Sequence, residues 1–309
     1  MEVSLIATVL DAAEDIGGFL ASVAAQTRPP DEVVIVDGGS TDGTVEIVRA
    51  ADRVTLVEAP GANIARGRNL AIAHATHDVI AVADADCAYG DGWLAALLGP
   101  LEAGADVAMG VTDPVVTSFF DACVSCNLPV DAGRVDEATF LPSARSVAFR
   151  REAIESVGGY PEWLAIGEDT WVDLRWRERA TDMRLAPDAV ASWRPREDLG
   201  ALWHQYFRYA RGDGEAGMHP ERHAIRFATY GGLALAVRSK RRWPSLLALT
   251  GAVAYAGEPI RRTWRRRPDP ADRALAMVAV PAFLAFTDVA KMAGYVAGLA
   301  RRARRDQSP

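Results

Sequence analysis

Short apolar runs alternate with amphipathic segments along the first third of the chain. Four runs rich in Val, Ile and Ala have the length of β-strands, and three segments between them carry apolar residues at helical spacing. The predicted strands lie at residues 3–9, 32–37, 54–58 and 79–84, and the predicted helices at residues 16–25, 44–50 and 64–75. This alternation predicts an α/β fold, in which right-handed crossovers join the strands of a doubly wound sheet.

Acidic side chains follow the ends of three predicted strands. Asp11 follows the first strand, Asp37 ends the second, and Asp84 and Asp86 end the fourth. Doubly wound sheets bind ligands beyond the carboxyl ends of their strands, so these acids are expected to share one site. Asp84 and Asp86 point to the same side of an extended chain and repel each other unless a cation joins them. Mg²⁺ or Mn²⁺ suits such oxygen ligands, although a solvated acidic turn is the alternative for this triplet alone.

The loop after the second strand is rich in glycine but is not a phosphate-binding loop. Residues 37–43 lack the Gly-Lys-Ser/Thr end of a P-loop and do not fit G-x-G-x-x-G. An acid at this place suits hydrogen bonds to a base edge or to ribose hydroxyls. A glycine-rich turn capped by an aspartate is the alternative from the loop alone.

Length and cysteine content set the broad class. The chain has 309 residues, enough for about two domains and a large core. Three cysteines are an odd and sparse set, which indicates a reducing compartment without a disulfide framework. Cys123 and Cys126 lack a second ligand pair at zinc spacing, so we expect them to be buried and inert. A strand-like run follows the N-terminus directly, so we expect no signal peptide.

Charge divides the chain into an acidic body and a basic tail. Residues 221–309 hold 17 Lys and Arg against 6 Asp and Glu, a net charge of +11, whereas residues 1–220 carry −18. Apolar runs at residues 245–257 and 274–300 separate basic clusters at residues 238–242, 261–267 and 301–305. We expect interfacial or re-entrant helices on a membrane surface, with soluble packing onto the catalytic domain as the alternative. The predicted domains are residues 1–220 and residues 221–309.

Several of these segments, in this order, resemble the opening of family-2 glycosyltransferases of the GT-A fold. The resembling segments are residues 7–16, 26–44, 65–69 and 84–86, and the resemblance as a whole covers roughly residues 1–215. The family implies a Rossmann-like GT-A domain for nucleotide-diphospho-sugars. It also implies inverting transfer of a sugar from a nucleotide-diphosphate donor, such as a UDP- or GDP-sugar, assisted by a divalent cation.

The resemblance also implies roles for individual residues. Asp37 would contact the base, Arg68 the diphosphate and Asp84 the ribose or sugar, while Asp86 would bind the metal. The full donor-binding set implied is Thr8, Asp11, Asp37, Arg66, Arg68 and Asp84, and the metal ligands are Asp86 and Asp84. The family often has two acids after the second strand, where this chain has Asp37 followed by Gly38.

A second acidic motif lies in the middle of the chain. Residues 141–149 are predicted to be a strand entering the site, followed by a helix from about Arg151. Glu168 and Asp169 then open an amphipathic helix, where helix-capping acids are the alternative. The same acidic pair, followed by Leu-x-Arg, recurs in the resembled family, in which the aspartate is the base. We therefore predict Asp169 as the catalytic base with Glu168 as its neighbour, because inverting transfer needs a carboxylate to accept the acceptor's proton.

Residues 205–209 resemble the Gln-x-x-Arg-Trp signature of membrane-bound members, with Tyr209 in place of Trp. By this resemblance Gln205, Arg208 and Arg211 would bind an acceptor or a phosphate. An amphipathic helix packing its aromatic side chains is the alternative.

The predicted function is transfer of a hexosyl or related sugar to an acceptor sugar or lipid, at the cytoplasmic face of the cell membrane. Nucleic acid is not an expected partner, and a soluble cytoplasmic enzyme is the alternative location. Two other functions stay open. A nucleotidyltransferase would need an N-terminal glycine-rich signature with a phosphate-binding lysine, which is not seen. A catalytically silent nucleotide-sugar-binding or membrane scaffold protein would have no need of Asp84, Asp86 and Asp169 together.

Overall fold

A computed structural model of the chain describes residues 1–128, 135–238 and 242–306, with the backbone alone at residue 237 and residues 242–249. These residues form two structural units. The first consists of Met1–Pro114 and Asp131–Arg194, and the second of Val115–Val130 and Pro195–Pro309. The structural boundary therefore falls earlier than residue 220, because residues 195–220 cluster with the second unit. The functional division at residue 220 stays a prediction.

The bounds of the helices and strands follow the chain. Up to residue 114 the elements are β1 (Val3–Val9), α1 (Ile16–Ala24), β2 (Glu32–Asp37), α2 (Thr44–Arg49), β3 (Val54–Glu58), α3 (Ile64–His74), β4 (Val79–Val82), β5 (Cys87–Tyr89), α4 (Trp93–Glu102) and β6 (Val107–Pro114). After it come α5 (Phe119–Val124), β7 (Val147–Arg150), α6 (Arg151–Ser156), α7 (Glu168–Glu178), β8 (Met183–Trp193), α8 (Leu199–Ala216), α9 (Pro220–Arg238), α10 (Arg242–Arg266) and α11 (Pro270–Arg305). The first three predicted strands are confirmed, and the three predicted helices are confirmed to within one residue at each end.

The first unit is built on an eight-stranded sheet with the order β3-β2-β1-β4-β7-β6-β8-β5. Strands β3, β2, β1 and β4 are parallel, as the sequence predicts. Beyond β4 the sheet is mixed, because β7 pairs antiparallel with both β4 and β6, while β8 runs parallel to β6 and antiparallel to β5. The fully parallel arrangement therefore holds for half of the sheet.

Helices cover both faces of this sheet, because successive side chains of a buried strand point to opposite faces. Along β1, Leu5 belongs to the apolar cluster that includes side chains of α1 and α4, whereas its neighbour Ile6 belongs to the cluster that includes side chains of α3, α6 and α7. The largest fully buried side chains, Trp93 and Trp176, anchor one face each. This two-sided core holds the carboxyl ends of β1, β2 and β4 at one edge of the sheet.

The second unit is helical. Helices α8 and α11 approach until their backbones touch, since a Cβ at Gly294 would lie 2.1 Å from the Phe207 carbonyl oxygen and at Gly298 2.2 Å from the Arg211 carbonyl oxygen. Cys123 and Cys126 of this unit are buried and free, as predicted, in an apolar cluster with side chains of α10 and α11.

The basic tail folds into long helices. Helix α11 has 36 residues and a length of about 54 Å at 1.5 Å per residue. Among the described residues it is the one helix that is long and apolar enough to cross a membrane. The basic cluster predicted at residues 238–242 lies partly outside the described residues, at residues 239–241.

Candidate active site

The carboxyl end of β4 leads into the first acidic motif. The strand ends at Val82, so the prediction that it runs to Asp84 is wrong, and Asp84 and Asp86 lie in the turn before β5. The reason is the Tyr89 hydroxyl, which accepts a hydrogen bond from the Asp84 backbone N–H at 2.9 Å in place of a neighbouring strand. Its own proton lies within reach of the Asp84 and Arg145 carbonyl oxygens, at 3.1 and 3.0 Å. A buried tyrosine thus fixes the backbone of the acidic turn.

Arg68 joins the two acidic motifs. Its side chain projects from α3 and is 3% exposed. One guanidinium nitrogen donates to Oε1 of Glu168, and the other donates to Oδ1 of Asp84 at 3.2 Å. Buried charges are tolerated only when they are paired in this way. The turn after β4 and the start of α7 are therefore tied to one guanidinium.

Burial and pairing set the charges of this group. Burial acts to lower the pKa of Arg68, but the carboxylates of Glu168 and Asp84 outweigh it and raise that pKa above its ordinary value. Burial raises the pKa of Glu168, and the neighbouring Arg68 opposes this rise. Arg68 therefore supplies a permanent positive charge beneath the acidic turn.

Asp169 lies at the start of α7, as predicted. The helix begins after Gly167, whose φ of +82° is the left-handed conformation that glycine adopts without steric cost. The half-buried Asp169 carboxylate accepts hydrogen bonds from the Thr170 N–H at 2.7 Å and the Ala144 N–H at 3.5 Å. A helix N-terminus stabilises a carboxylate as an anion. Asp169 is thus held by two backbone N–H groups next to the segment that carries Arg145.

Arg145 is a site residue that the sequence analysis missed. Its Nε lies 3.7 Å from Oδ2 of Asp84, and its Nη2 lies 3.6 Å from Oδ2 of Asp86. The guanidinium also lies over the ring of Trp193, 5.0 Å from its centroid. Arg145 reaches this place because Val147 pairs with Val82 at the carboxyl end of β4. The one signal was the prediction that residues 141–149 enter the site, although the strand itself begins only at Val147.

The ends of β1 and β2 carry a further polar group. The buried Asp37 carboxylate accepts hydrogen bonds from the backbone N–H groups of Gly39 and Ser40 at 2.8 and 3.0 Å, and from the Ser40 hydroxyl. Asp11, with a φ of 49°, accepts from the Thr41 N–H at 2.8 Å. Both aspartates therefore order the glycine-rich loop. Their predicted contacts with a nucleoside stay predictions.

Two more of the predicted donor-binding residues lie at α3. Thr8 is half-buried beneath the helix, where its methyl group would lie 2.9 Å from a Cβ placed at Gly67. Arg66 is exposed on the first turn of the same helix. Arg68, predicted for the diphosphate, has its guanidinium bound to carboxylates in the interior, and its predicted contact with the diphosphate stays a prediction.

Gln205, Arg208 and Arg211 lie on α8 of the second unit. The Gln205 amide donates to the Tyr209 hydroxyl at 3.0 Å, and Arg208 is exposed. Burial, together with the nearby Arg301 and Arg208, lowers the pKa of Arg211. Their predicted role in binding an acceptor or a phosphate stays a prediction.

The donor atoms of Asp84 and Asp86 fit a hard divalent cation. The Asp86 side chain is 48% exposed, and its Oδ1 accepts a hydrogen bond from the Cys87 thiol at 3.4 Å. In the part of the chain that the structure describes, no group of three or more His, Cys, Asp and Glu side chains is arranged to hold a metal ion. A cation at this pair would therefore complete its coordination with substrate phosphates and water, which is how Mg²⁺ is commonly bound.

Comparison with protein families identifies the sequence. The model of the family described as "Glycosyl transferase family 2" matches residues 4–121. "Glycosyltransferase AglE" from Haloferax volcanii is 31% identical over 232 residues, which cover 68% of this chain and 72% of that protein. "Succinoglycan biosynthesis protein ExoA" from Rhizobium meliloti is 30% identical over 194 residues, covering 58% of this chain and 59% of that protein.

Solved structures share the fold. A mannosyltransferase, PcManGT from Pyrobaculum calidifontis in complex with GDP-Man and Mn²⁺, superposes with a TM-score of 0.59 at 20% identity, covering 99% of this chain and 88% of that one. TarS 1-349 from S. aureus in complex with UDP gives a TM-score of 0.52 at 17% identity, covering 99% and 92%. Neither a nucleotidyltransferase nor a silent scaffold is named among these proteins. The chain belongs to glycosyltransferase family 2, and it is a glycosyltransferase with a GT-A fold.

Proposed function

We propose that the enzyme transfers a hexosyl or related sugar from a nucleoside-diphosphate donor to an acceptor hydroxyl, with inversion and with help from Mg²⁺ or Mn²⁺. The observation that carries this proposal is the bridge formed by Arg68, which joins Asp84 to Glu168. Asp84 and Asp86 are suited to bind a cation, and Asp169 is the neighbour of Glu168. The Arg68 bridge therefore holds the acid pair and Asp169 in one cluster of side chains. Donor binding and proton removal both need such a cluster.

Each carboxylate has a separate task in this proposal. Asp86 and Asp84 would hold the divalent cation, which neutralises negative charge on the departing nucleotide. Asp169 accepts the proton of the acceptor hydroxyl as that oxygen attacks C1 from the face opposite the leaving group. Its hydrogen bonds from the Thr170 and Ala144 N–H groups hold this carboxylate in place at the start of α7.

The nucleoside would lie against the loop after β2. Thr8, Asp11 and Asp37 border this loop at the ends of β1 and β2, and Arg66 lies exposed on α3. The complexes of the mannosyltransferase with GDP-Man and Mn²⁺ and of TarS with UDP support a nucleotide-sugar donor. Gln205, Arg208 and Arg211 are proposed to bind the acceptor or a phosphate. We propose a polysaccharide or a lipid-linked sugar as the acceptor, and the name of ExoA, a succinoglycan biosynthesis protein, supports the first of these.

The exposed face of α11 supports the proposal that the enzyme acts at a membrane surface. Its buried face packs within the second unit, whereas its outward residues form an apolar stripe at a spacing of three or four residues. The large members of this stripe are Leu275, Val278, Val289, Val296 and Leu299, each between 42% and 73% exposed. Exposed arginines follow at residues 301–305. An apolar face with basic residues beside it is typical of helices that lie in the interface of anionic membranes.

Calorimetry with UDP and GDP, with and without Mn²⁺, tests the proposed binding of a nucleoside-diphosphate donor with a divalent cation. We expect the wild-type protein to bind one of the two nucleotides more tightly with Mn²⁺, and Asp86→Ala to lose this gain. NMR of the product then gives the anomeric configuration, which inversion requires to be opposite to that of the donor. Equal nucleotide binding with and without Mn²⁺ would contradict the role of the cation, and a retained configuration would contradict inversion.

Flotation with vesicles of anionic lipid tests the proposed binding of α11 to a membrane surface. We expect the wild-type protein to float and Val278→Glu to float much less, while Ile47→Glu on α2 of the first unit serves as the control. Complete release of the wild-type protein by high salt without detergent would contradict apolar contact with the bilayer.

A further inference from the structure

The acid pair has two arginine partners, and they differ in exposure. Arg68 is 3% exposed and donates hydrogen bonds to Glu168 and Asp84. Arg145 is 17% exposed and spans Asp84 and Asp86 at 3.7 and 3.6 Å. These two distances are longer than those of charge-assisted hydrogen bonds. Arg145 therefore lies against both acids without a short hydrogen bond to either, while Arg68 donates a hydrogen bond to Asp84 at 3.2 Å.

The surroundings of Arg145 fix its backbone while leaving its guanidinium at the rim of the site. The Tyr89 hydroxyl lies 3.0 Å from the Arg145 carbonyl oxygen, and the Asp169 carboxylate accepts from the preceding Ala144 N–H. Trp193, which pairs with Cys87 across β8 and β5, supports the guanidinium from one side. A planar cation resting on an aromatic ring can exchange partners there without losing that support.

A bound diphosphate would offer this guanidinium closer contacts than the two carboxylates do at 3.7 and 3.6 Å. The Asp86 partner of Arg145 is 48% exposed, and pairs with an exposed partner contribute little to stability, so loss of this pair costs little. Arginine can bind phosphate oxygens through two parallel hydrogen bonds, and these are shorter and stronger than the present contacts of Arg145 with Asp84 and Asp86. A cation bound by Asp84 and Asp86 would also repel Arg145 from its present position. The Arg145 guanidinium could then contact the diphosphate of the donor that is bound to the cation.

We infer that Arg145 is a diphosphate-positioning residue that exchanges partners. Without donor it acts as the counter-cation of Asp84 and Asp86, and when donor and cation bind it moves onto the diphosphate. This inference rests on the proposed function, because it takes the same acid pair to be the metal site. It assigns diphosphate contact to Arg145 rather than to Arg68, whose hydrogen bonds to carboxylates are made in the interior.

The test compares three ligands on wild-type protein, Arg145→Gln and Arg145→Lys. The ligands are Mn²⁺ alone, followed by the EPR signal of free Mn²⁺, the nucleoside alone, and UDP or GDP with Mn²⁺, followed by calorimetry. For Arg145→Gln we expect the affinity for nucleoside diphosphate to fall about tenfold, as for loss of a hydrogen bond to a charged group. The affinity for Mn²⁺ alone should rise, because the competing cation is gone, and the affinity for the nucleoside should not change.

The controls separate this inference from other failures. Arg49→Gln removes an exposed arginine of the same unit that pairs with Glu58, and it should bind all three ligands like wild type. Should Arg145→Gln not fold, Arg145→Lys carries the test, because lysine keeps the charge but lacks the planar fork. An unchanged diphosphate affinity, an unchanged Mn²⁺ affinity, or an equal loss for nucleoside and diphosphate would each overturn the inference. If wild-type protein binds neither nucleotide with Mn²⁺, the proposed function itself fails.

Discussion

Arg68 and Glu168 lie 100 residues apart in the chain and form a buried ion pair. Arg68 comes from α3 on the parallel side of the sheet, and Glu168 opens α7, so the pair depends on the completed fold of the first unit. The same guanidinium also pairs with Asp84, at 3.2 Å. The pair therefore links the two acidic motifs of the site directly to the stability of the fold.

Breaking this pair should destabilise the first unit. We expect Arg68→Met to lower the free energy of unfolding by about 3–5 kcal/mol, because it leaves Glu168 buried without its partner. Arg49→Met is the matched control, since its pair with Glu58 is exposed and should be worth about 1 kcal/mol or less. Urea denaturation followed by circular dichroism measures both. Equal losses in the two variants would show that the buried pair has no special weight.

The irregular pairing of β6 with β8 requires glycine at position 110. A Cβ there would lie 1.9 Å from the Ser146 hydroxyl oxygen and 2.7 Å from the Ala189 carbonyl oxygen. We expect Gly110→Ala to destabilise the protein by about 1–3 kcal/mol or more, because the strands leave no room for the added methyl group. The Ser146 hydroxyl cannot move away easily, since it accepts a hydrogen bond from the Trp93 indole and donates one to the Ala189 carbonyl oxygen.

A second glycine provides the control for that prediction. Gly18→Ala lies in α1, where a Cβ meets nothing within 4 Å, and should stabilise by about 0.5–1 kcal/mol through helix propensity. Thermal unfolding of the two variants side by side is the measurement. A Gly110→Ala protein that melts at the wild-type temperature would mean that β6 and β8 are not in this register.

Asp173 makes stability depend on pH. It lies one turn after Asp169 on α7, is 3% exposed, and its Oδ2 has no hydrogen-bond partner among the residues that the structure describes. Burial, reinforced by Asp169, raises the pKa of Asp173 well above its ordinary value. Because the folded pKa is raised, its contribution is present below the unfolded pKa of about 3.9. That contribution is lost as the pH rises through the folded pKa.

Asp173→Asn should remove this dependence with almost no change of shape. We expect its stability relative to wild type to increase with pH above about 4, by about 1.4 kcal/mol per pH unit until the folded pKa is reached. Urea denaturation of both proteins from pH 4.5 to pH 7.5 gives the difference. A difference that stays constant over this range would contradict a raised pKa.

The parallel half of the fold could be predicted from sequence, because its signals are local. Strands such as β1 and β2 are continuous apolar runs, and the helices between them carry clear periodicity. The mixed half could not be predicted, because the local sequence of β7 does not indicate that this strand pairs antiparallel with both β4 and β6. Strand order is decided by packing over the whole sheet.

The site shows the same division. The acids Asp84, Asp86 and Asp169 stand out in sequence because each belongs to a motif at an element end. Arg145 belongs to no motif and enters the site only through the pairing of β7 with β4. The interior position of Arg68 was equally hidden, because an arginine on a helix gives no sign of its burial until its carboxylate partners are placed.

The turnover of Asp169→Asn, measured together with its donor affinity, tests the central claim most directly. We predict that turnover falls at least about a hundredfold, as for loss of a general base, while the donor Kd stays close to wild type. Glu178→Gln, at the exposed far end of the same helix, should match wild type in both. Turnover that survives within about tenfold would contradict the account, since that loss is too small for removal of the base.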